Sequence, residues 1–116
     1  MEYIKKCPKN PSFIQKGLNG YSYDINTKLV SMDIEDVHKG HDRYYKNLVS
    51  TTIYYVISGN GIFKINNEEY GVAEGDVIEI PANIEFVFAG EMKLLVIMTP
   101  PFNSSNSVDG AYNDLY

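Results

Sequence analysis

The chain has no tryptophan, a single cysteine and only two histidines, and each scarcity removes a class of chemistry. Cys7 has no second cysteine with which to close a disulfide, and no Cys/His set with zinc-site spacing can be written. A lone thiol suits a reducing compartment, so a cytoplasmic location is expected. No apolar run approaches the roughly 20 residues that a membrane helix needs, and MEYIKKCPKN lacks the apolar stretch of a signal peptide. A membrane partner is therefore not expected. Cations are scarce as well: 10 Lys and Arg against 15 Asp and Glu leave a net charge of -5, which repels a phosphate backbone and excludes nucleic acid as a partner. No Gly-rich phosphate loop, nucleophile elbow or CxxC motif occurs.

What the chain does have is β-forming sequence. A length of 116 residues suits one domain, and ten tyrosines and five phenylalanines among short runs of Val, Ile and Thr favour strands over helices. Residues 1–19, broken by Pro8, Pro11 and Gly17, are expected to form an irregular arm ending in a short strand around Phe13. YSYDINTKLVSMDIE reads as two strands about a turn at Asn26-Thr27, and DVHKGHDRYYKN as a polar loop leading into a strand. STTIYYVIS is the clearest strand and is expected to stop at Gly59-Asn60-Gly61. Asn66-Asn67 offers a hairpin turn, Pro81 ends VIEIP, and Ala89-Gly90-Glu91 separates the last two strands. Residues 20–102 would form the barrel, and the Ser- and Asn-rich residues 103–116 a loosely attached polar tail. Short strands at regular spacing indicate an all-β sandwich or barrel.

Two stretches resemble the signature motifs of the cupins, whose fold is a small jelly-roll barrel with a pocket inside. TIYYVISGNGIFKI matches the end of the first motif, G-x5-H-x-H-x3,4-E-x6-G, with Gly59 as the closing glycine. GDVIEIPANIEF matches the opening of the second, G-x5-P-x-G-x2-H-x3-N, in Gly75, Asp76 and Pro81. The resemblance spans about Asp36 to Pro101 and implies a cupin-type jelly roll. It fails at the metal ligands. The four-residue spacer places Tyr45 and Asn47 at the two histidines and Thr52 at the glutamate, and the shorter spacer substitutes Lys46 and Leu48 for the first pair. Phe86 stands at the third histidine, Asn83 at the motif glycine and Gly90 at the final asparagine. Transition metals want converging imidazole or carboxylate donors, so no metal and no other cofactor is expected.

The resemblance implies that Tyr45, Asn47, Thr52 and Phe86, which stand at the family's ligand positions, face the barrel interior, and strand parity adds Tyr54 on the face of Thr52; these five are the candidate ligand-binding residues. Aromatic faces with hydroxyl and amide tips suit a small polar molecule such as a sugar derivative, while the plain alternative is a filled core. The opposite face, Ile53, Tyr55 and Ile57, would pack against a second copy in a homodimer. His38 and His41 lie in a polar loop, where such residues are ordinarily solvated. Two functions follow. One is a cupin that binds a small polar ligand without chemistry. The other is a metal-free sugar or sugar-nucleotide isomerase or epimerase, resembling metal-independent enzymes of the wider superfamily, that uses His41 with Tyr44, Tyr45 or Tyr54 as an acid–base pair. An interaction module with a filled barrel is the third reading. The separation of His41 from the pocket tyrosines discriminates between the first two.

Overall fold

The computed structural model describes residues 2–116. The strands are β1 (Phe13–Gln15), β2 (Leu18–Ser22), β3 (Ser31–Val37), β4 (Arg43–Asn47), β5 (Thr51–Ile65), β6 (Glu68–Ala73), β7 (Val77–Ile80), β8 (Phe86–Thr99) and β9 (Ser107–Tyr112), with one 3₁₀ turn at Ser104–Asn106. The expected all-β architecture is what forms, and among the described residues no helix is long and apolar enough to cross a membrane.

Two long strands are the spine of the sheet. β5 and β8 pair antiparallel from Thr51↔Thr99 to Ile65↔Phe86. β3 pairs with β8 from Ser31↔Met98 to Val37↔Met92 and carries β2 and then β1 outward. β7 and then β6 take successive halves of β5, and β4 joins β8 at Tyr45↔Phe86 with β9 beyond it.

Neither expected break in the spine is a turn. β5 runs through Gly59-Asn60-Gly61 and β8 through Ala89-Gly90-Glu91. The ladder slips between Val56 and Ser58, leaving Ile57 as the extra residue of a β-bulge. The glycines there serve close approach: a Cβ on Gly90 would lie 2.5 Å from the Asn60 carbonyl oxygen, with φ at +144°. The hairpin at Asn66 and Asn67 does form, with φ of 48° and 70°, as the left-handed tolerance of Asn predicts. The 23–30 connection between β2 and β3 is longer than the expected turn at Asn26-Thr27, and β2 runs across the 19/20 boundary with Leu18 fully buried.

The C-terminal residues also differ from expectation. Instead of a loose tail, Ser107–Tyr112 pairs with β4. Asn113 Nδ2 then donates to the carbonyls of His41 and Phe88 at 2.7 and 2.9 Å. Polar composition concealed this because the segment is an edge strand held by backbone and amide bonds rather than by apolar side chains.

Along the first half of β5, Thr52, Tyr54 and Val56 are buried while Tyr55 is exposed, as parity requires. The inner face meets an aromatic cluster in which Phe63 stacks on Phe88 at 4.9 Å and Tyr54 lies 5.9 Å from Phe86. Truncating a buried Phe of this kind costs about 3–5 kcal/mol. The cluster fills one part of the interior and leaves the part beside it open.

Candidate functional site

The open part is a cavity of about 670 Å³ between β1–β3, the 38–42 loop, β4, β5 and β9, within the ~300–1,000 Å³ of small-molecule pockets. Of the residues expected to line it, Tyr45, Thr52 and Tyr54 do. Asn47 and Phe86 do not. Asn47 is buried behind the wall, where Nδ2 donates to the Tyr45 hydroxyl at 3.1 Å and Oδ1 accepts from the Val49 and Ser50 amides. Phe86 is 2% exposed in the aromatic cluster, edge-on to Tyr45 at 5.7 Å between ring centroids. Asn47 is thus a positioning residue for Tyr45, and Phe86 part of the floor.

Tyr44 is not brought to the cavity either. It lies on the other face of β4 from Tyr45, its hydroxyl donates to Asp114 at 2.6 Å, and Lys64 sits 5.6 Å from its ring centroid. Alternation along a strand permits one of two successive tyrosines to face inward, and that one is Tyr45.

His41, expected in a solvated loop, is instead part of the cavity wall. The 38–42 loop is clamped on both sides. His38, Lys39 and Gly40 donate their amides to the Gly17 carbonyl, and the Asn113 amide nitrogen donates to the Asp42 carbonyl. The His41 ring then lies 5.7 Å from Tyr45 and 5.7 Å from Phe88, centroid to centroid. Burial holds its pKa below the ordinary histidine value, opposed by the Arg43 carbonyl and by the charges of Asp109 and Asp42.

Its tautomer follows from the partners. The Arg43 carbonyl, 2.6 Å from Nδ1, can only accept, so Nδ1 carries the proton. Gln15 Oε1 accepts from the Asp42 amide at 3.0 Å, which leaves the Gln15 NH2 to donate to His41 Nε2 at 3.3 Å. Both constraints make Nε2 the basic nitrogen.

The far wall is acidic. Asp33 and Glu35 lie two apart on β3 and both line the cavity. Glu35 is 7% exposed, and burial followed by the charge of Asp33 pushes its pKa up to about 8. Burial raises Asp33 too, opposed by the Ser22 hydroxyl. Tyr54 is pushed well above the ordinary tyrosine value, first by burial and then by Glu35, so its hydroxyl is a donor at neutral pH. Gln15, Asp33, Glu35, Ser107 and Asp109 were all missed in the sequence. The one signal on offer was that Asp33 and Glu35 share the face of buried Val37 in the SMDIEDV alternation.

The Cupin_2 family model, described as the cupin domain, matches residues 37–98. This chain is a cupin. Among solved structures, it is similar to Pac13 from Streptomyces with uridine, at a TM-score of 0.90 and 25% identity over 97% of this chain and 93% of that one. A further structure of Pac13, at 24% identity, is described as a unique nucleoside dehydratase. KdgF from Halomonas sp. shares the fold at a TM-score of 0.72 and 12% identity, over 83% of this chain and 90% of that one. An uncharacterized protein of Methanocaldococcus jannaschii is 31% identical over 67 residues, and the cupin spans 54% of that relative's length.

Many cupin enzymes hold a metal, and the donors here do not fit one. At the family's ligand positions, Tyr45 and Thr52 offer hydroxyls to the cavity, while Asn47 is spent on Tyr45 and the loop amides and Phe86 offers no donor. Among the described residues no group of three His, Cys, Asp or Glu converges as metal ligands would.

Proposed function

We propose that this cupin is a metal-independent acid–base enzyme acting on an uncharged nucleoside or sugar derivative, with elimination of water as the reaction. The observation that carries this reading is the placement of His41, a half-buried neutral imidazole of fixed tautomer whose ring lines a ligand-sized cavity 5.7 Å from Tyr45, ring to ring. A solvated loop histidine would favour a binder without chemistry. The similarity to a nucleoside dehydratase over 97% of the chain points to the same class of ligand and reaction.

In such an elimination, the substrate displaces the Gln15 amide from His41 Nε2, which takes a proton from carbon, the carbon–oxygen bond breaks as the double bond forms, and the leaving hydroxyl departs as water after receiving a proton. The abstracted hydrogen must sit beside an electron-withdrawing group such as a carbonyl. Asp109 and Asp42, whose charges favour the protonated ring, stabilise the imidazolium while it exists. Tyr54, whose hydroxyl makes no hydrogen bond among the described residues and is protonated at neutral pH, gives its proton to the leaving oxygen, and the turnover closes when the imidazolium loses its proton and the phenolate regains one by way of water.

The test is incubation in D2O with a panel of uncharged nucleosides and sugars and their aldehyde and keto derivatives, followed by proton NMR. Deuterium incorporation or alkene formation that disappears with His41→Ala supports the reading. Binding with neither reaction across the panel overturns it.

A further inference from the structure

One wall of the cavity is unexplained by the acid–base pair. Glu35 is 7% exposed, lines the cavity, and its Oε1 is buried with no hydrogen-bond partner. Asp33, two residues along the same face of β3, lines the cavity as well, and no lysine or arginine does. A carboxyl placed this way costs stability unless something answers it. Among the described residues no side chain does so, and no lysine or arginine lines the cavity.

We propose that Asp33 and Glu35 form a hydroxyl-binding subsite for an uncharged sugar moiety, with Glu35 donating a hydrogen bond from its carboxylic acid and Asp33 accepting one. The proposal rests on the cavity being the ligand site. A strand rises about 3.3 Å per residue, so the two carboxyl groups spring from points about 7 Å apart and can converge on neighbouring hydroxyls of one ring. One carboxylic acid and one carboxylate supply both kinds of hydrogen bond that a hydroxyl pair requires. The same wall turns away phosphorylated or carboxylated ligands, because a second anion would meet Asp33, Glu35 and Asp109 with no counter-charge in the lining.

Glu35 must keep its proton for this, and its surroundings favour that. The ionisable groups that face it into the cavity are Asp33 on its own strand, Tyr54 from β5, Tyr45 from β4, His41 from the loop before β4, Asp109 from β9 and Tyr23 after β2. Burial and the Asp33 charge together raise the Glu35 pKa to about 8. His41 titrates below its ordinary value and Tyr54 well above its own.

Uridine binding measured by calorimetry from pH 6.5 to 9.5 tests the subsite. Wild type should bind with constant affinity up to about pH 8, the raised Glu35 value, and then lose about tenfold per pH unit, as one required proton dictates. Glu35→Gln keeps the shape and a donor, so its profile should be flatter by that amount. Ionisation of uridine itself would bend both profiles alike. A wild-type profile without the decline, or the same decline in Glu35→Gln, overturns the subsite while leaving the cavity reading in place. Absence of uridine binding at pH 6.5 overturns both. Should Glu35→Gln fail to fold, a 13C titration of the Glu35 carboxyl in wild type decides. A midpoint near 8 supports the subsite, and one at the ordinary value of 4.5 overturns it.

Discussion

Gln15 and His41 meet nitrogen to nitrogen, Nε2 to Nε2 at 3.3 Å, and one bond on each side fixes which of the two is the donor. A donor at the lone pair stabilises neutral imidazole, so Gln15 keeps the base unprotonated and ready. His41→Ala is expected to lower turnover by about 10²–10⁴-fold, the usual worth of a positioned general base, with ligand affinity changed far less. Gln15→Ala should shift the acid limb of the pH–rate profile to higher pH, since losing the donor and admitting water both raise the imidazole pKa. An unmoved acid limb would show that Gln15 only fills space.

Asn113 ties the C-terminal strand to this base. Its side-chain amide spans the carbonyls of His41 and Phe88, and its backbone amide donates to Asp42. Asn113→Ala leaves the His41 carbonyl without this donor and the Phe88 carbonyl with the His41 amide alone, and is expected to cost about 1–3 kcal/mol in chemical denaturation. Catalysis should fall as well, because the loop carrying His41 keeps the backbone bond from Asn113 to Asp42 but loses the side-chain bond to the His41 carbonyl. Asn26, exposed in the 23–30 connection and without a side-chain hydrogen bond among the described residues, is the comparison position, where replacement by Ala should change stability by less than about 0.5 kcal/mol.

The strands with clean alternation were legible in the sequence, and so was the Asn66-Asn67 hairpin. Thr52 came from its place in the first cupin motif, and Tyr54 then followed from parity because β5 obeys it from Thr51 to Val56. Glycine misled in two places. Gly59, Gly61 and Gly90 read as turn residues, yet they let two continuous strands bend against each other, a use set by a partner far away in the chain. The acidic wall was hidden for a different reason. In SMDIEDV the apolar Met32 and Ile34 suggest the inward face, whereas Asp33 and Glu35 point in, so polarity is inverted where a ligand rather than a core is to be met. His41 could not be placed from local sequence at all. Its burial depends on Gly17, Gln15 and Asn113, which come from both ends of the chain.

The glycine contacts give a sharp contrast. Gly90→Ala would set a Cβ 2.5 Å from the Asn60 carbonyl oxygen and 2.6 Å from Gly61 Cα, at a φ of +144°. Such strain costs of order 1–3 kcal/mol before any shift of β5 against β8. At Gly71 in β6, nothing lies within 4 Å of an added Cβ. Gly71→Ala should therefore be neutral or stabilising by about 0.4–1 kcal/mol through the unfolded chain. Thermal melts of the two variants should fall on opposite sides of wild type, or Gly71→Ala should coincide with it.

Chelation should leave stability and turnover unchanged. The family's ligand positions carry Tyr45, Asn47, Thr52 and Phe86, and the one cavity imidazole has Nδ1 committed to the Arg43 carbonyl. Elemental analysis after dialysis checks this directly. One zinc, iron, manganese or nickel per chain, with unfolding on chelation, would mean that the carboxylates of β3 and His41 rearrange around an ion.

Stability should respond to pH in two windows of opposite sign. The half-buried His41 ring has a pKa held below 6.5, so as pH falls beneath 6.5 the unfolded chain binds the proton more readily and the native state loses ground. Glu35 acts the other way. Its native value of about 8 lies above the ordinary 4.5, so as pH rises from 4.5 toward 8 the unfolded chain releases a proton that the folded one must keep. The native state is penalised by at most about 1.4 kcal/mol per pH unit across that range, less where water reaches the cavity. Glu35→Gln removes the penalty, so its melting temperature relative to wild type should climb from pH 5 to pH 8 and level off above. His41→Gln should gain on wild type only below pH 6.5. Melting curves for both variants at half-unit intervals separate the two contributions, and a Glu35→Gln difference independent of pH would place an ordinary, solvated carboxylate at that position.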